Sequence, residues 1–232
     1  EPVAPLDGPF YMQLEVPPGS NLKALSRATN AFVTSSGTGE ASVVIAGPLD
    51  HPFYQGSVKL DNVGFVLRDL EEVYREASCE GRFSGDTLTL TDIQAKEGLR
   101  GSLAGQGTLT FKGLMIETFD LRLNLDRFLL ASIPDLRVIA SSDNARMTGV
   151  VVGPDSVLVP KFHGDFSVLK ARFKGDFKEK EGAVDPLAGT VAPDWLADLS
   201  LHAEPRVAHI INREMELALG GNLNLVRTES GL

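Results

Sequence analysis

"ETFDLRLNLDRF", residues 117–128, decides the fold. Phe119, Leu121, Leu123 and Leu125 alternate with Asp120, Arg122, Asn124 and Asp126. Successive side chains of a strand point to opposite faces, so this stretch has one oily face and one wet face. The pattern recurs along the chain. Val58 and Leu60 stand against Lys59 and Asp61, and Leu88 and Leu90 against threonines. Leu109 and Phe111 alternate in "GTLTF", and Phe162, Phe166 and Val168 share a parity in "KFHGDFSV". Leu217, Leu219, Leu223 and Leu225 repeat it near the C-terminus.

Turn-forming stretches separate these runs: "SSGTGE" (35–40), "GPLDHP" (47–52), "KEGLRG" (96–101), "FKGL" (111–114), "SSDN" (141–144), "GPDS" (153–156) and "KGD" (174–176). Strands with short connections pair antiparallel, so the chain reads as a meander of a dozen to sixteen strands. Two segments depart from the rule. Leu67, Leu70 and Tyr74 have helical spacing within 66–78, which predicts a short helix. Residues 177–198 carry Pro, Gly and mixed charge and read as a long loop, with 177–195 the candidate flexible insertion. Alternation resumes after it, so the reading is one continuous β domain over 1–232.

Glycines at 56, 85, 101, 164 and 220 each precede alternating apolar positions, a loose internal repeat. Glycine permits bends and bulges in a sheet, so the sheet is expected to curl. A curled sheet with one oily face can form a sandwich, close into a barrel, or remain an open trough whose lining is covered by something else.

Composition narrows the function. The chain has 232 residues, a net charge of −9 and one cysteine, Cys79. An acidic chain gains nothing from counterion release, which argues against a nucleic-acid partner. One cysteine makes neither an intrachain disulfide nor a zinc site. No run of about 18 apolar residues is present, and "EPVAPLDGPF" has neither the basic nor the apolar part of a signal peptide. His163 with Asp165, and His202 with Glu204, have the i, i+2 spacing that puts each pair on one strand face. Phe162 and Phe166 have the opposite parity, so the first pair is expected on the wet outer face. "GLRGSLAGQG" lacks the Lys-Ser/Thr end of a phosphate loop. The reading is therefore a non-enzyme with no cofactor, no metal and no catalytic residue. Trp195 is expected as a core or lid residue rather than a partner anchor.

Three stretches carry a resemblance: "AGPLDHPFYQGSVKLDNVGF" (46–65), "TLTDIQAKEGLRGSLAGQGTLTFKG" (89–113) and "LSLHAEPRVAHIINREMELALGGNLNLVRTESGL" (199–232). They resemble the C-terminal region of TamB and its AsmA-like relatives, the repeating β-groove class of bridge-like lipid-transfer proteins. The resemblance implies an all-β fold, a long curved antiparallel sheet forming an open groove or flattened tube. It implies a periplasmic segment of a longer chain in a Gram-negative bacterium, anchored in the inner membrane through residues outside this segment. It also implies phospholipid acyl chains as ligand, an Omp85/TamA-type outer-membrane barrel as partner, and a part in outer-membrane protein assembly. The expected lining is Val58, Leu60, Leu88, Leu90, Leu109, Phe111, Phe119, Leu121, Leu123, Leu125, Phe162, Phe166, Val168, Leu217, Leu219, Leu223 and Leu225. The alternatives are a self-packed sandwich or solenoid and a chaperone for unfolded β-strands. Sixteen strands at about 4.8 Å would span roughly 75 Å.

Overall fold

The computed structural model describes residues 10–22, 32–67, 73–97, 101–133, 136–152, 157–174, 195–211 and 216–228. They form one sheet of eleven strands in chain order. The strands are β1 (Phe10–Asn21), β2 (Phe32–Gly47), β3 (Phe53–Leu67), β4 (Val73–Gly85), β5 (Thr87–Glu97), β6 (Gly101–Lys112), β7 (Met115–Ile133), β8 (Leu136–Val152), β9 (Val157–Lys174), β10 (Leu196–Ile211) and β11 (Glu216–Arg227). No α-helix occurs among the described residues. The sheet does not close, because β1 and β11 are its two edges. Ten spacings of about 4.8 Å make it roughly 48 Å across, shorter than the sequence reading.

The strands are long, up to 19 residues in β7, against a usual five or six. Their length is tolerated because most of them bend. Asn62, Glu76, Asp92, Arg127 and Arg206 have left-handed backbone with φ between 48° and 69°, and each sits at or beside a break in strand register. The first four breaks are bulges of one extra residue, the one at Arg206 sets four residues of β10 opposite one of β11, and each bends its strand and sharpens the twist. The sequence logic is direct. "LDNV" at 60–63, "LTDI" at 90–93 and "LDRF" at 125–128 place two polar residues where strict alternation allows one. The left-handed residue absorbs the extra place, so Leu60 and Val63, or Leu90 and Ile93, stay on one face. Asn and Asp tolerate that conformation better than other non-glycine residues.

The strands depart from the sequence reading in three ways. The strands number eleven because "SSGTGE" lies inside β2 and "SSDN" inside β8. These stretches mark register breaks within strands, one of them at Gly37 with φ +101°, and are not turns. The expected helix is replaced by strand: 66–67 end β3, 73–78 belong to β4, and 68–72 lie outside the described residues. Leu67 and Tyr74, which gave the helical spacing with Leu70, belong to two different strands, and the spacing that suggested a helix spans the β3–β4 connection. Of the five repeat glycines only Gly101 opens a strand; Gly85 ends one, and Gly56, Gly164 and Gly220 lie within strands.

One pair breaks the antiparallel rule. β10 runs parallel to β9, with Leu196 beside Lys161 and Ile211 beside Lys174. A parallel neighbour needs a connection of a dozen residues or more, and 175–195 supplies twenty-one. The expected flexible loop at 177–195 lies outside the described residues except for Trp195. That side chain is part-buried at the mouth of β10, with the Arg227 guanidinium 4.1 Å from its ring centre.

Candidate functional site

Paired residues of neighbouring strands share a face, so the register spells out the surface. One row crosses the sheet as Val16, Ala41, Val58, Gly81, Leu90, Gly107, Leu121, Met147, Phe162 and Ala197. The adjacent row is Leu14, Val43, Gly56, Phe83, Leu88, Leu109 and Phe119. Leu60 with Cys79, and Gly105 with Leu123 and Ala145, continue it on the other side. Toward the C-terminus, Leu225 pairs with Leu199 and Leu223 with Leu201, which in turn flanks Phe166. Leu219 and Leu217 pair with Ala208 and Ile210. Apolar side chains therefore line one face from one edge to the other.

The opposite face is polar. Glu40, Lys59 and Glu80 form a charge ladder, with a Lys59–Glu80 ion pair of 2.7 Å. Gln106, Arg122, Arg146, His163 and Asp198 form a second row. Arg146 donates two hydrogen bonds to Asp120, at 2.7 and 2.8 Å, and these hold the Asp120 carboxyl below the usual carboxylate range. Burial, with Lys161 nearby, pushes the His163 imidazole down. His202 contacts Asn222 at 2.6 Å and Glu204 at 3.4 Å, which raise its pKa. Both histidine–carboxylate pairs thus lie on the wet face, the first of them as its parity against Phe162 and Phe166 predicts. Among the described residues no three His, Cys, Asp or Glu side chains gather as a metal site. One apolar island interrupts this face, where Val152, Val159 and Leu196 pack together.

The apolar face is the concave one. Strands β3 and β6 are three places apart, about 14 Å in a flat sheet. The rings of Tyr54 on β3 and Phe111 on β6 nevertheless stand 5.2 Å apart, with Phe83 of β4 at 5.6 and 5.8 Å from them. The Tyr54 hydroxyl donates to the Gly113 carbonyl at 2.6 Å, and burial raises its pKa. At the other ends of the strands, Tyr74 of β4 stacks on Phe65 at 4.9 Å and reaches Phe128 of β7 at 6.1 Å. Side chains converge across three strands only if the sheet curls toward them.

Glycines keep the floor level. A Cβ on Gly81 would stand 2.6 Å from Val58 Cγ2 and 3.0 Å from Leu88 Cδ1. On Gly107 it would meet the Leu121 side chain and, at 2.5 Å, the Asp120 carbonyl. Large side chains from neighbouring strands lie over these glycines, so large and small residues alternate across the row. Polar groups on this side are engaged. The buried Glu97 carboxylate accepts the Leu129 N–H at 3.1 Å, and among the described residues no buried side-chain polar atom lacks a partner.

No second layer covers the trough among the described residues. Strand backbones approach closely only their sheet neighbours, and more distant strands such as β3 and β6 or β4 and β7 meet through side chains. Burial therefore arises from curling alone. Leu125, Phe166 and Ala145 are well buried at the centre, with Leu123 packed against them. Leu88 and Val168 are buried as well, whereas Phe162, Leu217, Leu219 and Leu223 are exposed. The sequence-predicted lining residues thus share one face. Val43, Ile45, Tyr54, Val63, Tyr74, Phe83, Phe128 and Leu201 belong to it too, and the sequence reading missed them. The signal that could have found several of them is the doubled polar residue at each bulge, beyond which the parity of the apolar face switches.

The site is thus the concave, apolar side of an open, single-layered and mainly antiparallel sheet. No family model matches the chain, and neither a curated protein nor a solved structure proves similar to it.

Proposed function

We propose that the trough shields lipid acyl chains and lets them move along the sheet. The supporting observation is the concave face, apolar from β1 to β11 and covered by no second layer among the described residues. An acyl chain leaving a bilayer exposes methylenes at about 0.8 kcal/mol each, and an apolar floor removes that cost. A floor levelled by glycines, with few polar groups, gives a chain no fixed resting place and favours sliding over tight selection. The resemblance to AsmA-like proteins extends the proposal to phospholipid transport between inner and outer membranes in the periplasm, beside an Omp85-type barrel.

The test is site-specific photo-crosslinking in the presence of phospholipid. A crosslinker at Leu123 or Leu109, on the trough floor, captures lipid; one at Arg122 or Thr110, of opposite parity, does not. Equal capture at both parities would overturn the proposal. A second reading draws on the edges: β1 and β11 each pair with a single strand, so an unfolded polypeptide could add to the sheet there. Crosslinks to peptide rather than lipid would favour it.

A further inference from the structure

The β6–β7 hairpin turns in two residues, Gly113 and Leu114. Gly113 takes φ +58°, and glycine at the first central position belongs to a type II′ turn. Leu114 is 55% exposed, and it is followed by Met115 at 76% and Ile116 at 42%. Among the described residues no other three consecutive large apolar side chains are exposed. Such a run at a tight turn contributes little to the fold and marks a contact surface. The tip is held in place. The Tyr54 hydroxyl donates to the Gly113 carbonyl at 2.6 Å, and the Phe111 N–H donates to the Asp86 carbonyl of the β4–β5 turn at 2.8 Å. A Cβ on Gly113 would stand 3.1 Å from the Leu49 carbonyl of the β2–β3 turn. Three turns are thereby gathered at one end of the sheet, and Phe53, itself exposed, opens β3 beside them.

We propose that the tip formed by Leu114, Met115 and Ile116 docks on the surface of a zwitterionic lipid bilayer, with its side chains among the first methylenes below the head groups. Size argues for a bilayer over a protein. Three side chains fall far short of the about 20–30 residues that each partner brings to a stable protein interface. A bilayer takes up apolar side chains one by one, with a hold that scales with the apolar area buried. Charge sets the kind of bilayer. Asp50, Asp86 and Glu117 outnumber Lys112 and His51 at these turns, and the chain carries −9 overall, so an anionic surface, which attracts basic segments, would repel this one. The tip is also continuous with the concave apolar face, because Ile116 pairs with Phe111. The proposal stands on the tip alone and does not require that the trough hold lipid.

The experiment is co-sedimentation of the unmodified chain with phosphatidylcholine vesicles, with urea denaturation as the check on folding. Leu114→Asn, Met115→Thr and Ile116→Thr together should weaken binding by about ten-fold or more. The urea midpoint should stay in place, because the three side chains are exposed and Asn and Thr suit a turn and a strand. Met115→Thr alone should act in the same direction. Leu169→Thr with Val226→Thr, which removes exposed apolar side chains of β9 and β11, should bind within about two-fold of the parent. Raising salt from about 0.05 to about 0.5 M screens charge and should leave binding nearly unchanged, and phosphatidylglycerol vesicles should bind more weakly than phosphatidylcholine. No vesicle binding by the unmodified chain, full binding by the folded triple variant, or binding that needs phosphatidylglycerol and disappears in salt would each overturn the proposal. So would a tip-dependent dimer that ignores vesicles. Binding lost in the folded Leu121→Asp, Leu123→Asp variant but kept in the tip variant would overturn the tip and leave the acyl-chain reading of the trough standing.

Discussion

Two carboxylates on the floor separate an open trough from a filled core. Leu121 pairs with Gly107 and Met147, Leu123 with Gly105 and Ala145, and both leucines are half-buried. Full burial of a leucine contributes about 1.5–3 kcal/mol. Leu121→Asp with Leu123→Asp therefore removes about 2–3 kcal/mol in all, because each side chain loses only part of that burial. The new carboxylates stay hydrated, since no described layer covers them. Beneath a second layer each would be buried without a partner, at several kcal/mol apiece, and the sum would consume most of a typical stability of about 5–15 kcal/mol. Urea denaturation followed by far-UV circular dichroism measures the difference. A folded double variant with a midpoint lowered by about 2–3 kcal/mol is expected, beside an Arg122→Asp control within about 0.5 kcal/mol of the parent. Leu125→Asp, at a position only 7% exposed, should cost more than either single floor change. Complete unfolding of the double variant would refute the reasoning.

Three further outcomes are expected. Gly107→Ala should destabilise the sheet by about 1–3 kcal/mol, because its Cβ meets the Asp120 carbonyl at 2.5 Å; an unchanged urea midpoint would contradict the levelled floor. Cys79 shares the trough face with Leu60, and burial raises its thiol pKa. It should therefore react with iodoacetamide near pH 8 more slowly than a free thiol, and more slowly again with phospholipid present; a free-thiol rate under both conditions would remove it from the trough. Arg146 depresses the Asp120 pKa, so the pair stabilises above the ordinary Asp value near 3.9 and that contribution is lost as pH falls through the lower, folded-state value. The pair is substantially exposed, so Asp120→Asn should cost at most about 1 kcal/mol at pH 7, with the difference vanishing in acid; a difference that persists at pH 2 would contradict it.

The legible part of the fold was its period. Phe119 to Leu125 and Val58 to Leu60 alternate without interruption, so their shared face could be read from parity alone. What was not legible came from the bulges. Glu76 shifts the parity of β4, the helix-like spacing of Leu67 and Tyr74 spans two strands, and Gly37 and the 141–144 stretch put turn-rich composition inside strands. The parallel β9–β10 pair depends on where a twenty-one-residue connection returns, which no local pattern encodes. Tyr54 was missed because its partners Phe111 and Gly113 are more than fifty residues away, and only the curling of the sheet brings them together.

The most direct test of the central claim is organic extraction of the detergent-free chain, purified from membrane-bearing cells, with mass spectrometry of the extract. The account predicts phospholipid at a fixed molar ratio to protein, and its loss from the folded Leu121→Asp, Leu123→Asp variant. A folded chain that carries no lipid, or a double variant that retains it in full, would contradict the trough as an acyl-chain site.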